Sequence, residues 1–525
     1  MRSLNSRRII LNDSTTAQKT ERHSLTVMLL TMASRLLGIV KAKVIGSVFG
    51  SGATADVINF TYNIPNNFRK LFAEGAMSSA YVPVFSKQIG EGKKDEANIL
   101  LDLLFSWQVI LFAILVIFTV FFGDDVIAAF SDFGTSEIRL GGALLPFFMA
   151  FLGEISLATV FNSLLQCHRH FFEASFSPLL FSVVVIFGIV YGKTPMAMAY
   201  SVVGGGLLQF AYSAIQGRRI GYRLHVRFNV RLGSFPLVVK RWLIVMYASI
   251  IQIIGQQVSY SFASMLPSGS VTAFSNATIF WQTPYGIFFT AISTVYFPLM
   301  SQAWAKQEKN QLRNEVGRGL EYLATFMLPS AILLGTLANE CVSSVLQSGA
   351  YTKEVALQTA EVVRSFTWGM LFIAWYGFLQ RFCYSVDRYP LVLVLTTLQT
   401  GLDIMLSYLF IKTGHSVSSL AVSGNIAFII TLSILFFRIR DVYDVRTDMT
   451  LWKSLSKLVL TNLPLGLLCI LYRSMKPVWW ESGSNWKNFG FTCVLGCVGL
   501  GVVLVSYRLG NIPFVSILKK QRSDG

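Results

Sequence analysis

Trp107-Gln-Val-Ile-Leu-Phe-Ala-Ile-Leu-Val-Ile-Phe-Thr-Val-Phe-Phe122 carries no charge, and it lies between a basic approach (Lys87, Lys93, Lys94) and a pair of acids (Asp124, Asp125). The hydrocarbon core of a bilayer is about 30 Å thick, so a spanning helix needs about twenty mostly apolar residues. This stretch, within a span predicted at 97–122, is therefore a membrane helix with a basic and an acidic end. A window of the same size moved outward finds further spans at 25–49, 55–86, 138–164, 174–192 and 195–216. After a basic stretch come 242–265, 270–303, 319–338, 356–383, 389–411, 417–437, 454–472 and 487–507. The reading is an all-α polytopic membrane protein of about fourteen transmembrane helices.

Composition agrees. Of 525 residues, 53% are hydrophobic and 14% charged, and the mean hydropathy is +0.55. A soluble chain needs about a quarter of its residues charged; this one cannot cover such a surface. The net charge of +17 invites nucleic acid as a partner, but the basic residues sit in short clusters between apolar runs with no recognition motif beside them. Nucleic-acid binding is excluded on that pattern. The cysteines Cys167, Cys341, Cys383, Cys469, Cys493 and Cys497 make neither a disulfide framework nor a zinc-ligand pattern. No cofactor or metal is expected.

Orientation follows from lysine and arginine. One set of loops holds Arg2, Arg7, Arg8, Lys19 and Arg22, then Lys87, Lys93 and Lys94, then Arg169, then Arg218 through Arg241, and later Lys306 to Arg318, Arg381 and Arg388, Arg438 to Lys453, and Arg508 to Arg522. The opposite set holds Lys193, Lys353, Lys412, Arg473 and Lys476 with the acids Asp124, Asp125 and Asp132. Both termini are expected in the cytoplasm. The expected domains are a tail at 1–24, an N-terminal lobe of six spans at 25–216, and a basic linker at 217–241. A C-terminal lobe follows at 242–437, then two additional spans at 438–507 and a tail at 508–525.

The first two spans carry charge that lipid would reject. An ionisable side chain at membrane depth costs several kcal/mol, so it faces a cavity or a partner. Ser34-Arg-Leu-Leu-Gly-Ile-Val-Lys41 puts Ser34, Gly38 and Lys41 on one helix face with Arg35 at its edge; Lys43 lies opposite. In the second span Asp56, Asn59, Asn63, Asn66, Lys70 and Glu74 recur every three to four residues as one polar stripe. Arg69 falls off that stripe unless Pro65 breaks the helix and rotates the segment beyond it. Arg35, Lys41, Arg69 and Lys70 outnumber Asp56 and Glu74, and an excess of buried cations invites an anion such as phosphate. The competing reading is a buried ion-pair network that only ties two helices together.

The same residues carry a family resemblance. Ser34-Arg-Leu-Leu-Gly38, Phe49-Gly-Ser-Gly-Ala-Thr-Ala-Asp56 and Ile64-Pro-Asn-Asn-Phe-Arg69-Lys-Leu-Phe-Ala-Glu-Gly-Ala76, followed by Tyr81-Val-Pro-Val-Phe85, resemble the MurJ (MviN) family of bacterial lipid II flippases. Weaker similarity runs through Ala263 to Val271, Leu328-Pro-Ser-Ala331 and Phe382-Cys-Tyr-Ser385. The resemblance implies the multidrug/oligosaccharidyl-lipid/polysaccharide exporter fold, with two six-helix lobes around a central cavity plus two C-terminal helices. It implies a transporter rather than an enzyme, in the bacterial inner membrane. Its substrate would be lipid II, the undecaprenyl diphosphate-linked disaccharide-pentapeptide of peptidoglycan, moved from the cytoplasmic to the outer leaflet for cell wall synthesis. The alternative is a related exporter of another polyprenyl-linked glycan or small molecule. A monomer among membrane lipids is expected. Carried over by motif position, the transport residues are Arg35, Lys41, Asp56, Arg69 and Glu74, with Ser34, Asn66 and Lys70 beside them.

Two positions depart from the family pattern: Lys41 stands where arginine is usual, and Ile279 where the eighth span usually carries an arginine before its proline (Pro284). Other ionisable groups at depth are Glu154 and Asp403, candidate proton or cation sites, and Arg364, expected to pair with Glu361. His168 and His170 flank Arg169 and read as interfacial rather than metal-binding. Gly204-Gly-Gly206 reads as a close helix approach.

Overall fold

The computed structural model describes residues 30, 33–72, 76–168, 170–229, 231, 233–479 and 485–512. Among these, the regular elements are helices, joined by turns and one isolated bridge between Ser348 and Tyr351. Two compact units emerge, residues 1–48 with 60–253 and residues 49–59 with 254–525.

The first unit contains α1 (33–49), most of α2 (Ala53–Phe72), α3 (Ala76–Gly90), α4 (Lys94–Phe130), α5 (Thr135–Cys167), α6 (Phe171–Gly192), α7 (Pro195–Arg219) and the first part of α8 (Phe235–Ser264). Helix α4 packs on α5, α5 on α6 and α7, and α6 on α7. Phe72, Tyr81, Phe85, Leu100, Phe112 and Phe161 form its buried centre, and the Trp242 indole donates to the Leu71 carbonyl at 3.1 Å.

The second unit contains α9 (Ser270–Ala305), α10 (Lys309–Thr336), α11 (Ala338–Leu346), α12 (Lys353–Thr367), α13 (Met370–Ser385), α14 (Tyr389–Lys412), α15 (Ser418–Arg438), α16 (Met449–Trp479) and α17 (Asn485–Leu509). Its core runs from α9 and α10 through α13 to α16 and α17. Two buried polar side chains there bond across helices: Trp375 donates to the Leu320 carbonyl at 3.0 Å, and Tyr507 to the Thr325 carbonyl at 2.8 Å while accepting from Asn462.

Nine of the described helices are long and apolar enough to cross a membrane, ten if α12 and α13, bent by 50°, count as one span. The chain is a multi-pass membrane protein. The remaining spans expected from the sequence fall on α1, α2 with α3, α8 and α9. On α1 and α2 charged and amide side chains interrupt the apolar run, as on a helix facing other helices or a polar interior rather than lipid. Pro65 does not break α2, which runs unbroken through it. A missing amide costs one hydrogen bond, and the flanking turns keep theirs.

Between α7 and α8 the chain is neither helix nor loose loop. Residues 222–229 lie extended along α4. The Arg223 amide donates to Asn98 Oδ1 at 3.1 Å, the His225 amide to Asp102 Oδ1 at 2.9 Å, and the Arg227 amide to Ser106 Oγ at 3.0 Å. Every second residue of the strap meets every fourth residue of the helix. The register holds because four helical residues rise about 6 Å and two extended residues about 6.6 Å.

Candidate functional site

On α1, Ser34, Arg35, Lys41 and Lys43 are all half-buried. Lys41 has a defined seat. Its ammonium donates to the Tyr62 hydroxyl at 3.0 Å and lies over the Tyr62 and Phe181 rings, 5.0 and 5.3 Å from their centroids. Those rings are held by Phe148 and Phe151, the latter stacked on Phe181 at 4.5 Å. Aromatic faces stabilise a cation without neutralising it. The ammonium, a compact point charge with three donors, is thus fixed by a hydroxyl and two rings. The sequence placed Lys41 on the polar face of α1 but had no means of finding its cage, since Tyr62 and Phe181 lie far apart in the chain.

On α2, Asn59 and Asn63 are buried, Asn66 and Arg69 half-buried, and Lys70 exposed. With α2 regular, Arg69 stays off the stripe of Asn59, Asn63, Asn66 and Lys70. Glu74 lies outside the described residues.

Asp56 does something the sequence did not foretell. Its side chain is buried, and both oxygens meet the first turn of α9. Oδ2 accepts from the Gly269 amide at 2.6 Å; Oδ1 accepts from the Thr272 amide at 2.8 Å and the Thr272 hydroxyl at 2.7 Å. Asn59 reaches the same hydroxyl at 3.2 Å. Gly269 has φ of +97°, a left-handed conformation that glycine adopts without strain, and it turns its amide toward the carboxylate. An anion here satisfies orphan N–H groups and complements the positive end of the helix. Asp56 therefore serves as a cap supplied by another helix.

Helix α9 contains no lysine, arginine, aspartate or glutamate along its whole length. Ile279 is half-buried, with its carbonyl accepting from Thr283. A cation does approach α9 from its neighbour: the half-buried Arg381 of α13 places its guanidinium 5.4 Å from the Phe289 ring centroid. Phe289 is stacked on Tyr285. The charge pattern set Arg381 among the loop cations; it stands instead half-buried within α13, because a place at the end of an apolar run fits a loop and a helix end equally.

The remaining ionisable groups separate. Glu154 on α5 sits against Gly206 of α7, where a Cβ would come within 2.0 Å of its carboxylate. The third glycine of Gly204-Gly-Gly206 is thus room for an acid, and Gly205 lets α7 approach Phe181 on α6. Asp403 accepts from Ser423 at 2.9 Å and Ser407 at 3.4 Å. Among the described residues no group of three or more histidine, cysteine or acidic side chains could hold a metal. Arg364 corrects the expectation of a pair with Glu361. It donates instead to the Gly335 carbonyl and Asn339 Oδ1, both at 3.3 Å, because the break between α10 and α11 leaves carbonyls that need donors. His168 bonds the Tyr222 hydroxyl at 2.9 Å, whereas His170 turns to Glu173 at 3.4 Å.

Comparison with known proteins places these features in context. A family model described as Lipid II flippase MurJ matches residues 45–488. A "Probable lipid II flippase MurJ" of Borreliella burgdorferi is 28% identical over 493 residues, covering 93% of this chain and 96% of that protein. Its namesake in Thermotoga maritima is 24% identical over 497 residues, covering 94% and 97%. Among solved structures, a lipid II flippase MurJ in an inward closed conformation superposes with a TM-score of 0.75 at 21% identity, covering 92% of this chain and 99% of that one. An inward-facing multidrug resistance MATE family transporter of the MOP superfamily follows at 0.67 and 14% identity, covering 79% and 96%. These two likenesses show the fold.

Proposed function

The chain belongs to the lipid II flippase MurJ family, and from that premise we propose that it moves lipid II from the cytoplasmic to the outer leaflet of the bacterial inner membrane by alternating access. The observation that carries this reading is the family match over residues 45–488. The half-buried cations Arg35, Lys41 and Arg69 in the first unit give it a chemical basis. A diphosphate drawn through hydrocarbon unaided pays a prohibitive desolvation cost, and seated cations offset it. Arg35 and Arg69 supply forked donors to phosphate oxygens, and Lys41 a point charge in its aromatic seat. Ser34, Asn66 and Lys70 lie on the same two helices. Asp56 holds α9, and Glu74 provides the second carboxylate. With α9 uncharged, Arg381 is a cation that the second unit brings to that helix.

In this reading 25–216 and 242–437 are six-span lobes joined by 217–241, 438–507 adds two spans, and both termini face the cytoplasm, as the lysine and arginine asymmetry requires. The protein works as a monomer, one chain supplying both lobes.

The test is replacement of a host's own flippase. Well-expressed protein is expected to restore growth and to expose lipid II on the outer face of the membrane. Lipid II that still accumulates on the cytoplasmic side sinks the assignment. Arg69→Ala is the companion variant, and normal rescue by it removes the cation mechanism.

A further inference from the structure

We propose that the strap along α4 is a docking surface for anionic phospholipid headgroups, with alternate residues entering the bilayer interface beside Trp107. The proposal rests on the orientation above, which puts the strap at the cytoplasmic leaflet, and not on the identity of the transported substrate.

Alternation is the first observation. Arg223, His225 and Arg227 donate their amides to α4, and the alternate residues Leu224, Val226 and Phe228 are apolar and exposed. Leu224 is 38% exposed, Val226 70% and Phe228 52%. Three apolar side chains exposed in register on an extended strap form one edge, and such an edge, rimmed by basic residues, marks an interaction surface.

Charge is the second. Arg218, Arg219, Arg223 and Arg231 are exposed. Asp102, which is wholly buried, is spent on Arg227 Nε at 2.9 Å and on the strap's backbone. The partner this surface fits is therefore anionic outside and apolar beneath, as a phosphatidylglycerol or cardiolipin leaflet is.

Position is the third. The Phe228 ring meets the edge of Trp107, 6.4 Å between centroids at 88°. Trp107 is 38% exposed and opens the longest apolar run of α4. Tryptophan prefers the headgroup level, where one edge is wet and the other apolar. The strap thus ends at the depth where phosphates lie, and basic with apolar contacts together make the two-part attachment that holds a surface segment on a membrane.

The experiment uses full-length protein in nanodiscs of phosphatidylcholine alone or mixed with phosphatidylglycerol. Amide hydrogen exchange is read over residues 222–229. Exchange is expected to slow roughly thirtyfold with phosphatidylglycerol, the scale that two basic side chains near an anionic surface provide. Arg223→Gln combined with Arg231→Gln, both exposed, is expected to abolish that difference. Val226→Ser is expected to speed exchange in the mixed bilayer. Equal exchange in the two bilayers overturns the proposal. So does slowing by free inorganic phosphate in phosphatidylcholine discs, because the site is then an ordinary phosphate site. Since transport is not measured, failure here leaves the flippase reading standing.

Discussion

Asp56 and Thr272 are 216 residues apart, yet one carboxylate oxygen of Asp56 takes both the amide and the hydroxyl of Thr272. The other oxygen takes the Gly269 amide at 2.6 Å. A helix that begins without a side-chain cap of its own is thereby capped from α2, and the charge at its positive end is buried.

Asp56→Asn removes the charge and turns an acceptor into a donor facing another donor. Its cost is expected to be about 1–2 kcal/mol, the range for a lost cap with favourable helix-end electrostatics. Thermal unfolding in detergent is the measurement. Thr272→Ala, which loses one of three donors and keeps the charge, is expected to cost less; equal costs would show that the carboxylate is not the element that matters.

Lys41→Ala is expected to abolish rescue of flippase-depleted cells, and Lys41→Arg to retain it. Tyr62→Phe deletes the 3.0 Å hydrogen bond but preserves the ring beneath the ammonium. Its effect is expected to be about 1 kcal/mol in lysine seating and only a modest loss of transport. Initial rates in proteoliposomes separate the three variants, and a Tyr62→Phe as dead as Lys41→Ala contradicts the cage.

Arg381→Gln removes the cation that lies over the Phe289 ring of α9. A marked fall in transport is expected, with partial activity for Arg381→Lys, since charge persists but the planar fork is lost. Unchanged transport by Arg381→Gln means that this guanidinium takes no part in handling the substrate.

Burial pushes His168 below the ordinary histidine value of 6.5, with Lys94 and His170 adding repulsion. The unfolded chain takes up that proton first as pH falls. Stability is therefore full above 6.5, declines as pH drops from 6.5 to the lower folded value, and then levels. Unfolding temperature measured against pH is expected to show this decline in the native protein and to lose it in His168→Asn.

Asp102 is wholly buried and receives the His225 amide, Asn98 and the Arg227 side chain. Asp102→Ala strands those donors and is expected to cost about 3 kcal/mol. Fast amide exchange at 222–229 with α4 itself still protected is the expected signature. Loss of protection throughout the first unit means instead that the strap is part of its core.

Much was settled by local rules. Apolar runs of bilayer length, as at 97–122, can satisfy their backbone only as helices, so the class and the approximate placing of the nine or ten apolar spans among the described residues needed no long-range information. Arg35, Lys41, Asp56 and Arg69 stood out because charge in an apolar run is costly wherever the chain goes. What those charges touch was beyond reach, because partners are chosen by packing between segments far apart in the chain. Periodicity set Asp56 among possible partners for arginine; only the fold brought α9 to it, with Gly269 and Thr272 offering bare amides that outcompete a mobile side chain. Lys41 owes its seat to Tyr62 and Phe181, Glu154 its space to Gly206, and the 222–229 segment its extended form to three polar side chains on one face of α4. The sequence by itself determined which groups could not remain in lipid. Tertiary structure decided what each one meets there, because a buried polar group is satisfied by whatever donor or acceptor the packed helices bring within about 3 Å.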